Sequence, residues 1–127
     1  MRLGAIADAI ETALAVASAA TVYSKSWKWG SGEYFSLAYK ATSEGVVGLK
    51  IELEQSNVAP TTERSSDDNY VVAENMQDVE PALATETQHY KKLSPVVSVY
   101  GRLKITGSGS NDASTTLAAS IVRQEEL

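Results

Sequence analysis

Cysteine is absent from this chain of 127 residues, and histidine occurs only once. Without cysteine, neither a disulfide framework nor a thiolate metal site can form, so stability must come from packing or from association with other chains. The formal net charge is −5, and the basic residues are scattered along the sequence. Because nucleic-acid binding needs a basic stripe to contact phosphates, the composition argues against a nucleic-acid partner.

Groups that could carry catalysis are also few. His89 is the lone histidine, and no nucleophile elbow of the G-x-S-x-G kind accompanies it. Four carboxylates lie in or beside the polar stretch 55–69, but their spacing does not fit an EF-hand calcium loop. They are Glu63, Asp67, Asp68 and Glu74. The sequence therefore predicts no catalytic residue, no metal site, no cofactor and no enzymatic activity, with a long, solvated acidic loop at 55–69.

Strict alternation of apolar and polar side chains is the main positive signal. It is clearest in residues 96–106, and it returns in residues 35–42, 47–54 and 115–122. This period predicts strands with one buried face, as in antiparallel sheets that face water on the other side. In residues 96–106 the predicted inner face carries Val97, Val99, Gly101, Leu103 and Ile105, and Arg102 falls on the outer face.

Turn-forming residues separate these strands. Gly45 predicts a hairpin that joins residues 35–42 to 47–54, and the run 107–112 predicts a second hairpin before the last strand. Further strands are predicted at 21–29 and 70–73, with a polar edge strand or connection at 85–93. The fold class is thus all-β, an antiparallel β-sandwich of jelly-roll or immunoglobulin-like type with six to eight strands.

The first twenty residues allow two interpretations. Four apolar side chains recur at helical spacing among alanines, which favours a short amphipathic helix. The alternative is an extended arm that pairs with a neighbouring subunit. We favour the helix, and divide the chain into this segment, residues 1–20, and a single sandwich domain, residues 21–127. Asp8 and Glu11 interrupt the apolar run, which argues against a secretory signal and excludes a membrane-spanning helix.

Aromatic residues in and after the strand 21–29 have three possible roles. Trp27 and Trp29 share one predicted face with Tyr23, and Tyr34 and Tyr39 follow. They can belong to the core, anchor a protein interface, or stack on sugar rings. Together with the apolar residues of the first segment, they supply the candidate interface residues: Leu3, Ile6, Ile10, Leu14, Trp27, Trp29 and Tyr34.

The pattern of strands and turns resembles small β-sandwich structural proteins of tailed bacteriophage virions. The resemblance covers residues 24–124, through SKSWKWGSGEYFSLAYKATSEGVVGLKIELEQS and LSPVVSVYGRLKITGSGSNDASTTLAASIVRQ. It implies a non-enzymatic virion component, such as a capsid decoration protein, a head-fibre base or a neck or tail protein, assembled in the bacterial cytoplasm. The implied partners are further copies of the chain and other capsid, neck or tail proteins. A carbohydrate-binding module that uses surface aromatics is the alternative.

Overall fold

The computed structural model describes residues 3–29, 35–42, 48–80, 89–93, 98–109 and 115–126. Within these ranges the chain forms strands and no helix, so no helix in the described part could cross a membrane. The strands are β1 (Leu3–Ala15), β2 (Thr21–Tyr23), β3 (Trp27–Lys28), β4 (Phe35–Thr42), β5 (Leu49–Ser56), β6 (Val71–Glu80), β7 (His89–Leu93), β8 (Tyr100–Gly107) and β9 (Thr116–Glu126).

Two antiparallel sheets make up the fold. The first has the order β1-β9-β4-β7, and the second has the order β2-β8-β5-β6, with β3 also paired to β8. One apolar core lies between them, to which both sheets contribute alternate side chains. Its most deeply buried members include Leu103 and Ile105 of β8 and Leu117 of β9. The predicted all-β, antiparallel, sandwich-like character is confirmed.

Both predicted hairpins are wrong. β4 lies in the first sheet and β5 in the second, and the same holds for β9 and β8. The chain therefore passes from one sheet to the other between β4 and β5, and again between β8 and β9. The alternating pattern specifies which face of a strand is buried, but two strands with matching buried faces can either pair edge to edge or cover each other.

The N-terminal helix is also wrong, because residues 3–15 form an edge strand of the first sheet. β1 pairs with β9 from Leu3 opposite Glu126 to Ala15 opposite Thr116. Its register shifts twice, once before and once after Glu11. Such bulges insert extra residues into a strand. Ile10 and Leu14 therefore both pack against the core although they are four residues apart, an interval that imitates helical spacing. The division of the chain at residue 20 stays a prediction.

The segment 21–29 is two short strands rather than one. Tyr23 pairs with Lys104 of β8, and Trp27 pairs with Gly101. The segment therefore advances by four residues over a distance in which β8 advances by three. One extra residue moves the following side chains to the opposite face. Tyr23 and Trp27 therefore face opposite sides of the sheet, contrary to the prediction. This split contributes to a count of nine strands in the described residues, against the six to eight predicted.

Candidate functional site

An aromatic cleft of about 200 Å³ opens where β1 of the first sheet meets β3 of the second. Aromatic and aliphatic side chains form part of its lining and charged side chains form the rest, and we call it the tryptophan cleft. The rings of Trp27 and Trp29 lie edge to face, with centroids 5.3 Å apart and an interplanar angle of 88°. The ring of Phe35 makes a similar contact with Trp29 at 5.0 Å. Ile10 and Ile121 complete the walls, so strands of both sheets build the cleft.

A glycine in β8 allows the two indoles to pack this way. A Cβ atom on Gly101 would lie 2.8 Å from Cζ2 of Trp27 and 2.9 Å from Cζ2 of Trp29. Those distances are shorter than carbon atoms tolerate, so any side chain at this position would displace an indole. Both indole rings thus pack directly against Gly101, where a side chain would otherwise lie.

The indole N–H groups do not face the solvent. Nε1 of Trp27 and Nε1 of Trp29 are both buried, and neither has a hydrogen-bond partner among the described residues. Leaving a buried donor unsatisfied costs about 1–3 kcal/mol. Because these donors are buried, the indoles offer carbon surface to the cleft rather than hydrogen bonds.

The rim of the tryptophan cleft is basic. Among the described residues, Lys25, Lys28 and Arg123 lie around it with one carboxylate, that of Asp8. Asp8 accepts a hydrogen bond from Nε of Arg123 at 3.0 Å. The two lysines are exposed and form no salt bridge with any described residue. In a chain of net charge −5, this is a local concentration of positive charge.

Beside the cleft, residues 57–70 cover the outer face of the second sheet, where Arg102 of β8 is buried beneath them. The guanidinium of Arg102 donates from Nε to Glu54 at 2.7 Å and from Nη1 to the carbonyl of Ser65 at 2.5 Å. It lies between the rings of Tyr23 and Tyr70, 4.3 and 4.4 Å from their centroids. Arg102 is on the predicted outer face but is only 1% exposed, because this loop covers it.

The same loop is attached to the rim of the tryptophan cleft. Glu63 accepts hydrogen bonds from the backbone N–H of Ser26 at 2.9 Å and from its hydroxyl at 2.6 Å. Arg64 forms a salt bridge with Glu11 of β1, and the hydrogen bond to Glu11 raises the pKa of Arg64 against the opposing effect of burial. Glu11 also accepts the backbone N–H of Lys25 at 2.7 Å. These bonds hold the segment that carries both rim lysines.

The acidic residues predicted to be solvated serve partly as turn-forming groups. Asp67 accepts the backbone N–H of Asn69 at 2.9 Å and that of Thr61 at 3.2 Å. These two hydrogen bonds lower the pKa of Asp67 below its ordinary value, and the bond from Asn69 has the larger effect. Within the described part of the chain, no group of three or more acidic or histidine side chains is placed to hold a metal ion.

The structure brings together three of the seven candidate interface residues, since Ile10, Trp27 and Trp29 all line the tryptophan cleft. Leu14 packs against the core. Leu3 and Ile6 lie in β1, where only their backbone is described, and Tyr34 lies outside the described residues.

Two aromatic or ionisable candidates of the sequence take other positions. Tyr39 is 1% exposed and belongs to the core rather than to a sugar platform. The backbone of His89 pairs with that of Tyr39 at an edge of the first sheet, and the side chain of His89 lies outside the described part.

Sequence reasoning missed the buried Arg102–Glu54 pair and the basic rim. An arginine and a glutamate on the polar faces of two alternating strands were the available signal, but only the pairing of β5 with β8 brings them together. No known protein family, curated protein or solved structure matches the chain.

Proposed function

We propose that the chain is a non-enzymatic structural protein of a tailed bacteriophage virion, which assembles as a homo-oligomer on the capsid or at the neck or tail. Its role there is that of a decoration or cement protein, assembled in the host cytoplasm and carried in the virion. The resemblance of residues 24–124 to small virion proteins motivates this proposal. The observation that supports it most is the strand order.

That order supports a jelly roll as the type of sandwich. The first strand pairs with the last, β2 with β8, β4 with β7 and β5 with β6, and the two central pairs β9–β4 and β8–β5 complete the sheets. Folding a long antiparallel ribbon over on itself produces these nested pairs, and we infer a jelly roll rather than an immunoglobulin-like sandwich. Viral capsid domains are among the proteins that use this architecture.

Repetition gives such a small domain its function. A protein that binds each site of a symmetric shell with modest affinity still stays attached when several linked copies bind together. The test is the mass of the purified protein by light scattering, followed by sedimentation with phage capsids or tails. We expect a defined oligomer that sediments with one of these assemblies. A monomer that stays in the supernatant with all of them would contradict the proposal.

A carbohydrate-binding module is the second candidate, because jelly rolls also occur in lectins and because two tryptophans line the cleft. It predicts that the purified protein retains particular glycans on an array. Binding to a glycan, with no binding to phage assemblies, would replace the first proposal by this one.

A further inference from the structure

We propose that the tryptophan cleft is a docking site for one apolar side chain carried by an acidic protein segment of an assembly partner. This inference rests on the proposed assembly function and names the chemistry of the partner. Three properties of the cleft lead to it: its size, the charge of its rim and the orientation of its indoles.

The size of the cleft matches a single side chain. Small-molecule sites usually enclose about 300–1,000 Å³, whereas this cleft holds about 200 Å³. Protein interfaces commonly gain most of their binding energy from a few anchor residues that fill well-packed pockets of this kind. A leucine-sized or phenylalanine-sized anchor fits such a space, and the carbon surface of Trp27, Trp29 and Phe35 would cover it.

The charge of the rim selects the residues that flank the anchor. Lys25 and Lys28 are exposed and unpaired within the described part, while Arg123 is already in contact with Asp8. The nearby carboxylates of Glu63 and Glu11 accept hydrogen bonds from Ser26, Lys25 and Arg64, on the loop side of the cleft. Acidic residues on both sides of the anchor would therefore pair with the lysines, and basic segments would be repelled.

The indoles favour a side chain over a sugar. A sugar ring stacks on a flat, exposed aromatic face, but Trp27 and Trp29 meet at 88° and form a corner. Their N–H donors are buried, so they cannot bind sugar hydroxyl groups without moving. An apolar group that fills the corner needs no hydrogen bonds from these rings.

The cleft carries its own reporter, because Trp27 and Trp29 are the two tryptophans of the chain. Filling the cleft should shift the intrinsic tryptophan emission of the intact protein. The probe is a pentapeptide with blocked ends, in which a central leucine is flanked by two glutamates on each side. One control peptide replaces the leucine with glycine, and the other replaces all four glutamates with lysines. We expect a saturable emission shift with the first peptide and none with either control.

A charge-reversal variant then tests the rim. In the double variant K25E/K28E, two attractive exposed ion pairs with the peptide become repulsive, and each contributes modestly to binding. The peptide should bind about tenfold more weakly, given that tenfold corresponds to about 1.4 kcal/mol. The matched control is Lys92→Glu, an exposed lysine of β7 at the opposite edge of the first sheet. It should leave peptide affinity unchanged.

Several results would overturn the inference. Equal binding of the leucine and glycine peptides would show that charge alone attracts them and that the cleft stays empty. Equal binding by the wild type and K25E/K28E would remove the role of the rim. An emission shift with galacturonate but not with the peptide would assign the cleft to an acidic sugar.

The outcomes also separate this inference from the assembly function. If the K25E/K28E variant sediments with phage assemblies as well as the wild type does, docking through the cleft is refuted. The assembly function then stays intact. Binding of the peptide without binding to any phage assembly would support the docking site and refute the virion assignment.

Discussion

Removing the buried guanidinium of Arg102 should destabilise the protein strongly. In Arg102→Met, the side chain keeps much of its length, but Glu54, only 6% exposed, loses its cationic partner. Breaking a buried ion pair by deleting one partner typically costs about 3–5 kcal/mol. The lost contacts with Tyr23 and Tyr70 act in the same direction. We therefore expect a loss of about 3–5 kcal/mol in the free energy of unfolding, a large part of the 5–15 kcal/mol typical of a domain.

Urea denaturation of three variants measures this effect. Lys104→Met is the matched control, because Lys104 lies two residues further along β8 and is partly exposed; its change should stay within about 0.5 kcal/mol. The double variant R102M/E54L removes both charges together. Because a buried pair can be replaced by apolar side chains at little cost, the double variant should recover most of the stability that Arg102→Met loses.

Limited proteolysis reports on the loop separately. Arg64 is the one trypsin site within residues 57–70, and Ser65 supplies the carbonyl that Arg102 binds. Trypsin should cut after Arg64 faster in Arg102→Met and in R102M/E54L than in the wild type. A loss of stability below about 1 kcal/mol in Arg102→Met, or unchanged cleavage after Arg64, would refute the view that Arg102 holds this loop on the sheet.

Three further predictions concern the core, the cleft and the loop. Gly101→Ala should cost about 1–3 kcal/mol and shift tryptophan emission, because the new methyl group would lie 2.8 Å from Trp27; unchanged emission would contradict this packing. Leu103→Ala should cost about 2–5 kcal/mol by urea denaturation, and a loss below about 0.5 kcal/mol would place its side chain at the surface. The pKa of Asp67 is lowered by the N–H of Asn69, so its stabilising contribution is present above the ordinary value of 3.8 and is lost as pH falls through the lower folded pKa. Asp67→Asn should make cleavage of the loop less dependent on pH in this acid range, measured with pepsin against the wild type.

Local alternation was enough to predict most strands and their buried faces. Residues 35–42, for example, form β4 with Leu37, Tyr39 and Ala41 turned to the core, as their spacing indicates. The partners of these strands were not predictable in the same way. Whether β4 pairs with β5 or covers it depends on the pairing of β4 with β9 and of β5 with β8, between residues more than forty positions apart in sequence.

Bulges explain the remaining errors in β1 and in the segment 21–29. A single inserted residue leaves almost no mark on composition, yet it reverses every side chain that follows. That is why Trp27 was expected beside Tyr23 and instead lines the cleft. The cleft forms where β1, at the edge of the first sheet, lies beside β3 of the second sheet. The sequence does not reveal that contact between sheets, so only some residues of the cleft could be predicted from it.

The pairing of β1 with β9 has a consequence for synthesis. Among the described strands, β1 pairs only with β9, so residues 3–15 leave the ribosome long before their partner, Thr116–Glu126. During that interval an unpaired strand could associate with other nascent chains. Its many alanines favour transient helix over strand and so oppose such association. The helical tendency that conflicts with the final sheet would thus protect the growing chain until its partner arrives.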